Sequence, residues 1–325
     1  MLNLIKFITS PSLKILINLT TTLLLLSSNY SFSQEELLLI GRTTGKLSIA
    51  KNKQVRVFGF SKSLSGEITL PGAKIETEKN KKVKIDFWNI SQGNPVSLFC
   101  KDIIFEQFNK KGKVIQTIPI DHMEHGYYSF TPNKEGTFLY YSPENYPFNL
   151  QAGMFGVIIV KSENNKSLIK ENIVEKLFCS HEIDKYWHAN ELMDVDHSQL
   201  NNPITPPPYK PKTFLINGKK INSLKGIQSY EKKKNPVLLR LVNAGLCKHE
   251  ILFPNNVNIQ FISGKEKAYR EEKKHKKIEL YTGDSIDLLV SLEEVSKRQK
   301  IIYQFIKNDS EKTIYKASIP IFIHL

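Results

Sequence analysis

Short runs in which apolar and polar residues alternate, or in which apolar residues follow one another unbroken, recur along the chain between clusters of turn-forming residues. Val55-Arg-Val-Phe and Val83-Lys-Ile-Asp-Phe alternate, the two-residue period of a strand with one face in a core. Gly156-Val-Ile-Ile-Val is apolar throughout and predicts a central strand, buried on both faces. The same reading predicts strands over 53–60, 82–89, 126–130, 136–141, 154–160, 213–216, 236–242, 277–280 and 285–290. Helical periodicity is scarce, so the expected class is all-β, built as sandwiches rather than as a parallel α/β sheet. Asn217-Gly218 predicts a tight hairpin turn. Asn243-Ala244-Gly245 and Gly283-Asp284 predict turns in which Asn and Gly adopt left-handed backbone.

The first residues depart from this pattern. Residues 1–14 carry Lys6 and Lys14 and no acid, an apolar run spans 15–26, and Ser31 and Ser33 offer a small-x-small site before Gln34. That arrangement predicts a secretory signal peptide over 1–33, and hence an exported, periplasmic or extracellular protein. No other stretch approaches the hydrophobicity of a membrane span, so none is expected after cleavage. A polar stretch over 161–171 marks the expected boundary between two domains, 34–165 and 172–325. The proline-rich segment 201–211 reads as a loop within the second, because proline is excluded from helix interiors and central strands.

Charge changes the picture little. Lys and Arg number 46 against 32 acids, a formal charge of +14, and removing Lys6 and Lys14 leaves +12 on the exported part. The lysines gather in clusters between strands, 79–84, 110–113, 232–234 and 273–277, with few aromatics and no nucleic-acid module. Solvated loops account for them; a partner attracted by this charge outside the cytoplasm would be acidic polysaccharide or anionic lipid headgroups, not nucleic acid. Three cysteines, Cys100, Cys179 and Cys247, allow one intrachain bridge at most. Core burial of Cys247 or a bridge to Cys179 are both open, and the sequence does not choose the pair.

Two segments go further. Gly136-Thr-Phe-Leu-Tyr-Tyr-Ser-Pro followed by Gln151-Ala-Gly-Met-Phe-Gly-Val-Ile-Ile-Val resembles the end of the first cupredoxin domain of multicopper oxidases and copper nitrite reductases. Phe214-Leu-Ile-Asn-Gly-Lys, Leu238-Leu-Arg-Leu-Val-Asn-Ala-Gly and Ile278-Glu-Leu-Tyr-Thr-Gly-Asp-Ser-Ile-Asp-Leu-Leu-Val follow in the order of that superfamily's second domain. The resemblance implies two tandem cupredoxin-like Greek-key β-sandwiches after the signal peptide. It also implies copper, for which a blue site takes a Cys thiolate, two His and a weak Met.

The ligand types are not where the resemblance requires them. At the oxidase His positions stand Phe99, Lys101, Tyr141 and Pro143; at the nitrite-reductase blue-site positions stand Ser142, Asn149 and Met154. Phe and Pro have no ligating side-chain atom and Lys is normally protonated. Of these, Met154 alone matches, and a lone Met at the entrance of an apolar strand is more often packing than ligand. The remaining candidates are His122 and His125 in Asp121-His-Met-Glu-His, His181 and His188 in a stretch whose alternation would set Glu182, Asp184, Tyr186 and His188 on one strand face, His197, and His249 beside Cys247. Nucleophile-elbow, dinucleotide, Walker and zinc-protease motifs are absent. The expected function is therefore a non-enzymatic, exported, multicopper-oxidase-like protein without a cofactor, acting through a protein partner, self-association or an anionic envelope component. The alternative is a copper oxidoreductase or copper-handling protein with ligands rearranged among those histidines.

Overall fold

Fifteen residues, Glu36–Ala50, form the first strand, β1, of a chain that is nearly all strand and turn. The computed structural model describes residues 36–161, 173–196, 204–224, 226–230, 236–255, 257–264, 276–291 and 299–324. The signal-peptide segment, most of the boundary stretch 161–171, His197 and the 232–234 cluster lie outside them, as does all of the 273–277 cluster except Lys276 and Lys277. After β1 come β2 (Lys53–Ser61), β3 (Lys74–Glu78), β4 (Val83–Asn89), β5 (Phe99–Cys100), β6 (Glu106–Phe108), β7 (Val114–Ile115), β8 (Glu124–Phe130), β9 (Gly136–Tyr141), the short helix α1 (Phe148–Ala152) and β10 (Phe155–Lys161). They form a six-stranded sheet ordered β2-β1-β4-β8-β6-β7 and a four-stranded sheet ordered β3-β10-β9-β5.

The later residues repeat this plan. β11 (Val174–Ile183), α2 (Asn190–Met193), β12 (Thr213–Ile216), β13 (Lys219–Lys220), β14 (Ile227–Tyr230), β15 (Val237–Asn243), β16 (Lys248–Leu252), β17 (Asn258–Gly264), β18 (Lys277–Leu280), β19 (Ser285–Ser291), β20 (Lys300–Lys307) and β21 (Lys312–His324) follow. Their sheets are ordered β13-β12-β11-β15-β19-β17 and β14-β21-β20-β16-β18. In each half the opening strand pairs antiparallel with a neighbouring hairpin arm and parallel with the next major strand, β1 with β2 and β4, β11 with β12 and β15. In each half an early strand also pairs parallel with the last, β3 with β10 and β14 with β21. The same pairing pattern twice over is what a tandem repeat of one sandwich produces.

The alternation read from the sequence is the alternation of burial. In β4, Ile85, Phe87 and Asn89 are buried and Lys84, Asp86 and Trp88 are partly or wholly exposed. β10 lies between β3 and β9 and is buried from Phe155 to Val160, as the unbroken apolar run requires. Asn217 and Gly218 both take positive φ, 51° and 69°, and close the β12–β13 hairpin. Gly283 takes φ 83° in the turn before β19.

Two details differ from expectation, and a third is a choice the sequence leaves open. β11 ends at Ile183 and Asp184 opens a turn, its Oδ1 and Oδ2 accepting the N–H groups of Tyr186 (2.9 Å) and Lys210 (2.6 Å), so Asp184, Tyr186 and His188 do not continue one strand face. The Asn243 turn is made by its side chain, not by left-handed backbone: Nδ2 donates to Cys247 O and Leu280 O, and Oδ1 accepts Gly245 N–H. The three cysteines are free and buried. Cys179 belongs to the cluster shared between the two halves and Cys247 to the core of the second.

Candidate functional site

The loop from β9 to β10 carries three of the sequence-derived positions. Gly153 ends α1 in the left-handed region, φ 115°, where a Cβ would stand 2.6 Å from Phe58 O; only glycine fits there without displacing backbone. The chain can then return Met154 N–H to Asn149 O (2.9 Å) while Met154 O accepts Ser142 N–H (3.0 Å). Ser142, Asn149 and Met154 are thereby brought together, all with no solvent exposure.

Asn94, whose only signal in the sequence is that of a turn residue before Pro95, joins them from the other side. Asn149 Nδ2 donates to Ser142 Oγ (3.0 Å) and to Asn94 Oδ1 (3.3 Å), and Asn94 Nδ2 lies 3.6 Å from Met154 Sδ. Asn89 fixes Asn94 by donating to its carbonyl at 2.9 Å. Glu144 closes the rim, accepting from Ser142 Oγ (2.7 Å), from Ser97 N–H (2.9 Å) and from Ser97 Oγ.

This donor set does not fit a blue copper centre. Two amides, a hydroxyl and a thioether contain no thiolate and no imidazole, the groups that select Cu(II) in that geometry, and their polar atoms are spent on one another. Asn149 Oδ1 alone is buried without a partner, one neutral oxygen beside one sulfur. The oxidase positions do no better. Phe99, 41 % exposed, pairs with Tyr141 across β5 and β9 with ring centroids 5.3 Å apart. Lys101 Nζ lies 3.7 Å from Asp284 of the second half, and Pro143 is half-buried beside Ser142.

The histidines are distributed over distinct settings. His122 is exposed in the turn before β8; His125 turns its Nδ1 to Asp86 Oδ1 (2.6 Å) and stacks on Trp88. His181, buried between the halves, directs its two ring nitrogens at Gln151 O (3.0 Å) and Ala244 O (3.2 Å). His188 donates from Nδ1 to Arg56 O at 2.7 Å, and its Nε2 is buried without a partner. His249 Nδ1 meets Ser180 Oγ (2.8 Å), which also meets Tyr303 Oη (2.7 Å). Among the described residues no group of three or more His, Cys, Asp or Glu side chains is placed to hold a metal ion.

One buried carboxylate of the 181–188 stretch forms a centre whose partners the sequence does not signal. Glu182 Oε1 accepts Leu246 N–H (2.6 Å), Cys247 N–H (2.9 Å) and Tyr209 Oη–H (3.0 Å), and Oε2 faces His249 Nε2 at 3.7 Å. Burial pushes this carboxyl up, but the His249 and His181 imidazoles and the Cys247 N–H draw it below the ordinary range; burial pushes both imidazoles down. Gly245 makes the room, since a Cβ there would fall 2.0 Å from Oε2. With no solvent exposure at Glu182 or His249, the cluster organises the second half and does not meet a substrate.

His188 gives a pH prediction. Burial holds its imidazole at about 4 instead of 6.5, outweighing the backbone hydrogen-bonding groups of Arg56 and Gln151 that favour the proton. Between those values the unfolded chain binds the proton and the folded one does not, so stability is complete above pH 6.5 and is lost as pH falls through about 4. The loss is about 3 kcal/mol, with His181 and His249 acting in the same direction. Urea unfolding at about pH 7 and about pH 5 is expected to show a lower midpoint at the lower pH, and H188N to flatten the difference; equal midpoints in the unmodified protein would contradict the assignment.

With this geometry in place, comparison is informative. Residues 49–165 match the family model described as multicopper oxidase. Over that segment the chain is similar to the multicopper oxidases. No curated protein matches the chain. Among solved structures, the blue copper oxidase from Nitrosomonas europaea is 14 % identical with a TM-score of 0.61, the match covering 89 % of this chain and 85 % of that one. The copper nitrite reductase from the same organism is 16 % identical with a TM-score of 0.57, covering 89 % and 94 %. Fet3p, a multicopper oxidase that functions in iron import, is 16 % identical with a TM-score of 0.60, and here 89 % of this chain covers only 52 % of the longer one. The fold across both sandwiches is that of the multicopper oxidases and copper nitrite reductases. No helix among the described residues is long and apolar enough to cross a membrane.

Proposed function

We propose that this multicopper-oxidase-like chain is exported, with a signal peptide over 1–33 and sandwich domains over 34–165 and 172–325, and acts without standard copper centres as a binding or assembly protein of the cell envelope. The observation that carries the reading is the Asn94–Ser142–Asn149–Met154 cluster, where the side chains hydrogen-bond one another and where Ser142, Asn149 and Met154 stand at positions that the resemblance gives to blue-copper ligands. A site re-dedicated to internal amide hydrogen bonds keeps the sandwich folded and leaves its surfaces, rather than a redox centre, to do the work. The basic start and apolar run of the leader support export.

Metal analysis decides between this reading and a copper oxidoreductase. Protein produced in a periplasm with added copper and then dialysed is expected to retain copper far below one equivalent and to give no Cu(II) paramagnetic signal beyond the background. Near-stoichiometric copper that survives dialysis and disappears on replacing His181 and His249 would overturn the proposal and establish a rearranged copper site.

A further inference from the structure

Two of the basic clusters that the sequence leaves as solvated loops meet at one place. Lys82 and Lys84, from the approach to β4 and from β4 itself, and Lys110, from the β6–β7 hairpin, line a cavity of about 410 Å³ on the outer face of the first sheet. The cavity falls within the usual size of small-ligand sites, roughly 300–1,000 Å³. Among the described residues its one lining acid is Glu36, so lysines outnumber carboxylates in its wall. Lys84 and Lys110 form no ion pair among the described residues, and Lys82 Nζ lies 5.6 Å over the Phe108 ring. Holding the Lys84 and Lys110 ammonium groups at one cavity costs Coulomb energy, which an anionic ligand would relieve.

The walls are stiff. Asn109 Oδ1 accepts the N–H groups of Lys111 and Lys113 at 3.0 Å each, and Gly112 N–H bonds to Asn109 O at 2.8 Å, so the hairpin that presents Lys110 is held closed. Tyr127 lies opposite Phe108 in the β6–β8 register. It begins a stacked row that continues through His125 (ring centroids 6.5 Å apart) to Trp88 (a further 5.2 Å) across the sheet. Asp86, opposite Tyr127 and 2.6 Å from His125 Nδ1, balances charge along this row, so the row adds ring surface and hydrogen-bonding groups for sugar units while the positive charge stays with the lysines of the cavity.

We infer that this cavity and its aromatic row form a binding site for acidic polysaccharide. A uronate unit satisfies both kinds of wall, its carboxylate meeting the lysines and its hydroxyls donating to Glu36, while neighbouring units of the polymer lie along the row. This adds a ligand class and a site to the binding role proposed above, and it rests on that role and not on the state of the copper positions.

The test is titration calorimetry of the whole mature protein with oligogalacturonate at low salt, with neutral maltooligosaccharide and phosphatidylglycerol vesicles in parallel. Binding of oligogalacturonate that weakens with added salt is expected. It should fall about tenfold or more, or roughly 1.4 kcal/mol, in K82Q/K84Q/K110Q and in Y127A. It should persist in K219Q/K220Q/K316Q, which removes the same charge from exposed positions elsewhere. Circular dichroism and the unfolding midpoint of each variant show whether the fold is intact. No binding by the unmodified protein, equal loss in the two triple variants, equal binding of the neutral sugar, or vesicle binding that oligogalacturonate does not compete would each overturn the assignment. Copper content is measured separately, so failure here and failure of the copper-free reading are distinguishable.

Discussion

Replacing Asp287 by alanine is expected to lower the stability of the protein by about 3–5 kcal/mol, because it strands a buried guanidinium. Arg240 and Asp287 are 4 % and 1 % exposed and meet at 2.6 Å. Asp287 also accepts from Thr137 Oγ1 (2.7 Å) and Ser263 Oγ (2.9 Å). Thr137 belongs to β9 of the first sandwich, and Ser285 Oγ of the second donates to its carbonyl. The pair therefore bolts one sandwich to the other. Glu175, half-exposed at 3.3 Å from Arg240, offers only partial relief, because an exposed partner is screened by solvent. Two readouts follow. The urea midpoint should fall, and calorimetry should resolve two transitions where the unmodified chain gives one. The double variant R240M/D287L, which removes both charges, should recover much of the loss. A decrease below about 1 kcal/mol in D287A would mean that the network does not couple the halves.

Most of the scaffold is legible in the sequence because strands with one wet and one dry face write their period into it. All nine segments read as strands overlap observed ones, and the all-β class and cupredoxin resemblance hold. What escapes is instructive. β1 is the longest strand, yet Gly41, Thr43, Thr44 and Gly45 interrupt its apolar residues and shift its register against β2 between Arg42 and Gly45, so no single period runs through it. β11 stands out in the sequence for its ionisable residues, and burial of Ser180, His181 and Glu182 inside it is possible only because backbone N–H groups from a loop 64 and 65 residues away satisfy the carboxylate. Pattern reading cannot see such partners. Arg240 and Asp287 read as polar members of alternating strands; their pairing is a property of β15 beside β19, not of either segment. Asn94 is the sharpest case. An amide carries no ligand signature, and only the fold brings it to Met154.

Rebuilding a thiolate–imidazole set in the Asn94 cluster is expected to convert the protein into a copper binder. In N94H/S142C/N149H, with Met154 retained, two imidazoles and a thiolate replace two amides and a hydroxyl, giving the His₂Cys set with a weak thioether that defines blue sites. The four native side chains are already neighbours, linked in the order Ser142, Asn149, Asn94, Met154 by contacts of 3.0, 3.3 and 3.6 Å. The cost is overpacking, since imidazoles are larger than amides in a site without solvent exposure, and is about 1–3 kcal/mol. Copper binding to the folded state offsets it. Stoichiometric copper and an intense visible thiolate-to-Cu(II) absorption are expected in the triple variant. Both should be lost in N94H/N149H, which keeps the native Ser142, because Cys100 is raised to about 11 by burial and Cys179 and Cys247 are pushed up by the same cause, which leaves no competing thiolate. S142C/N149H, which disturbs packing less, should bind copper more weakly through the same thiolate. A folded triple variant that remains colourless with copper would show that the cluster is not a former blue site, and would remove the observation on which the proposed function rests.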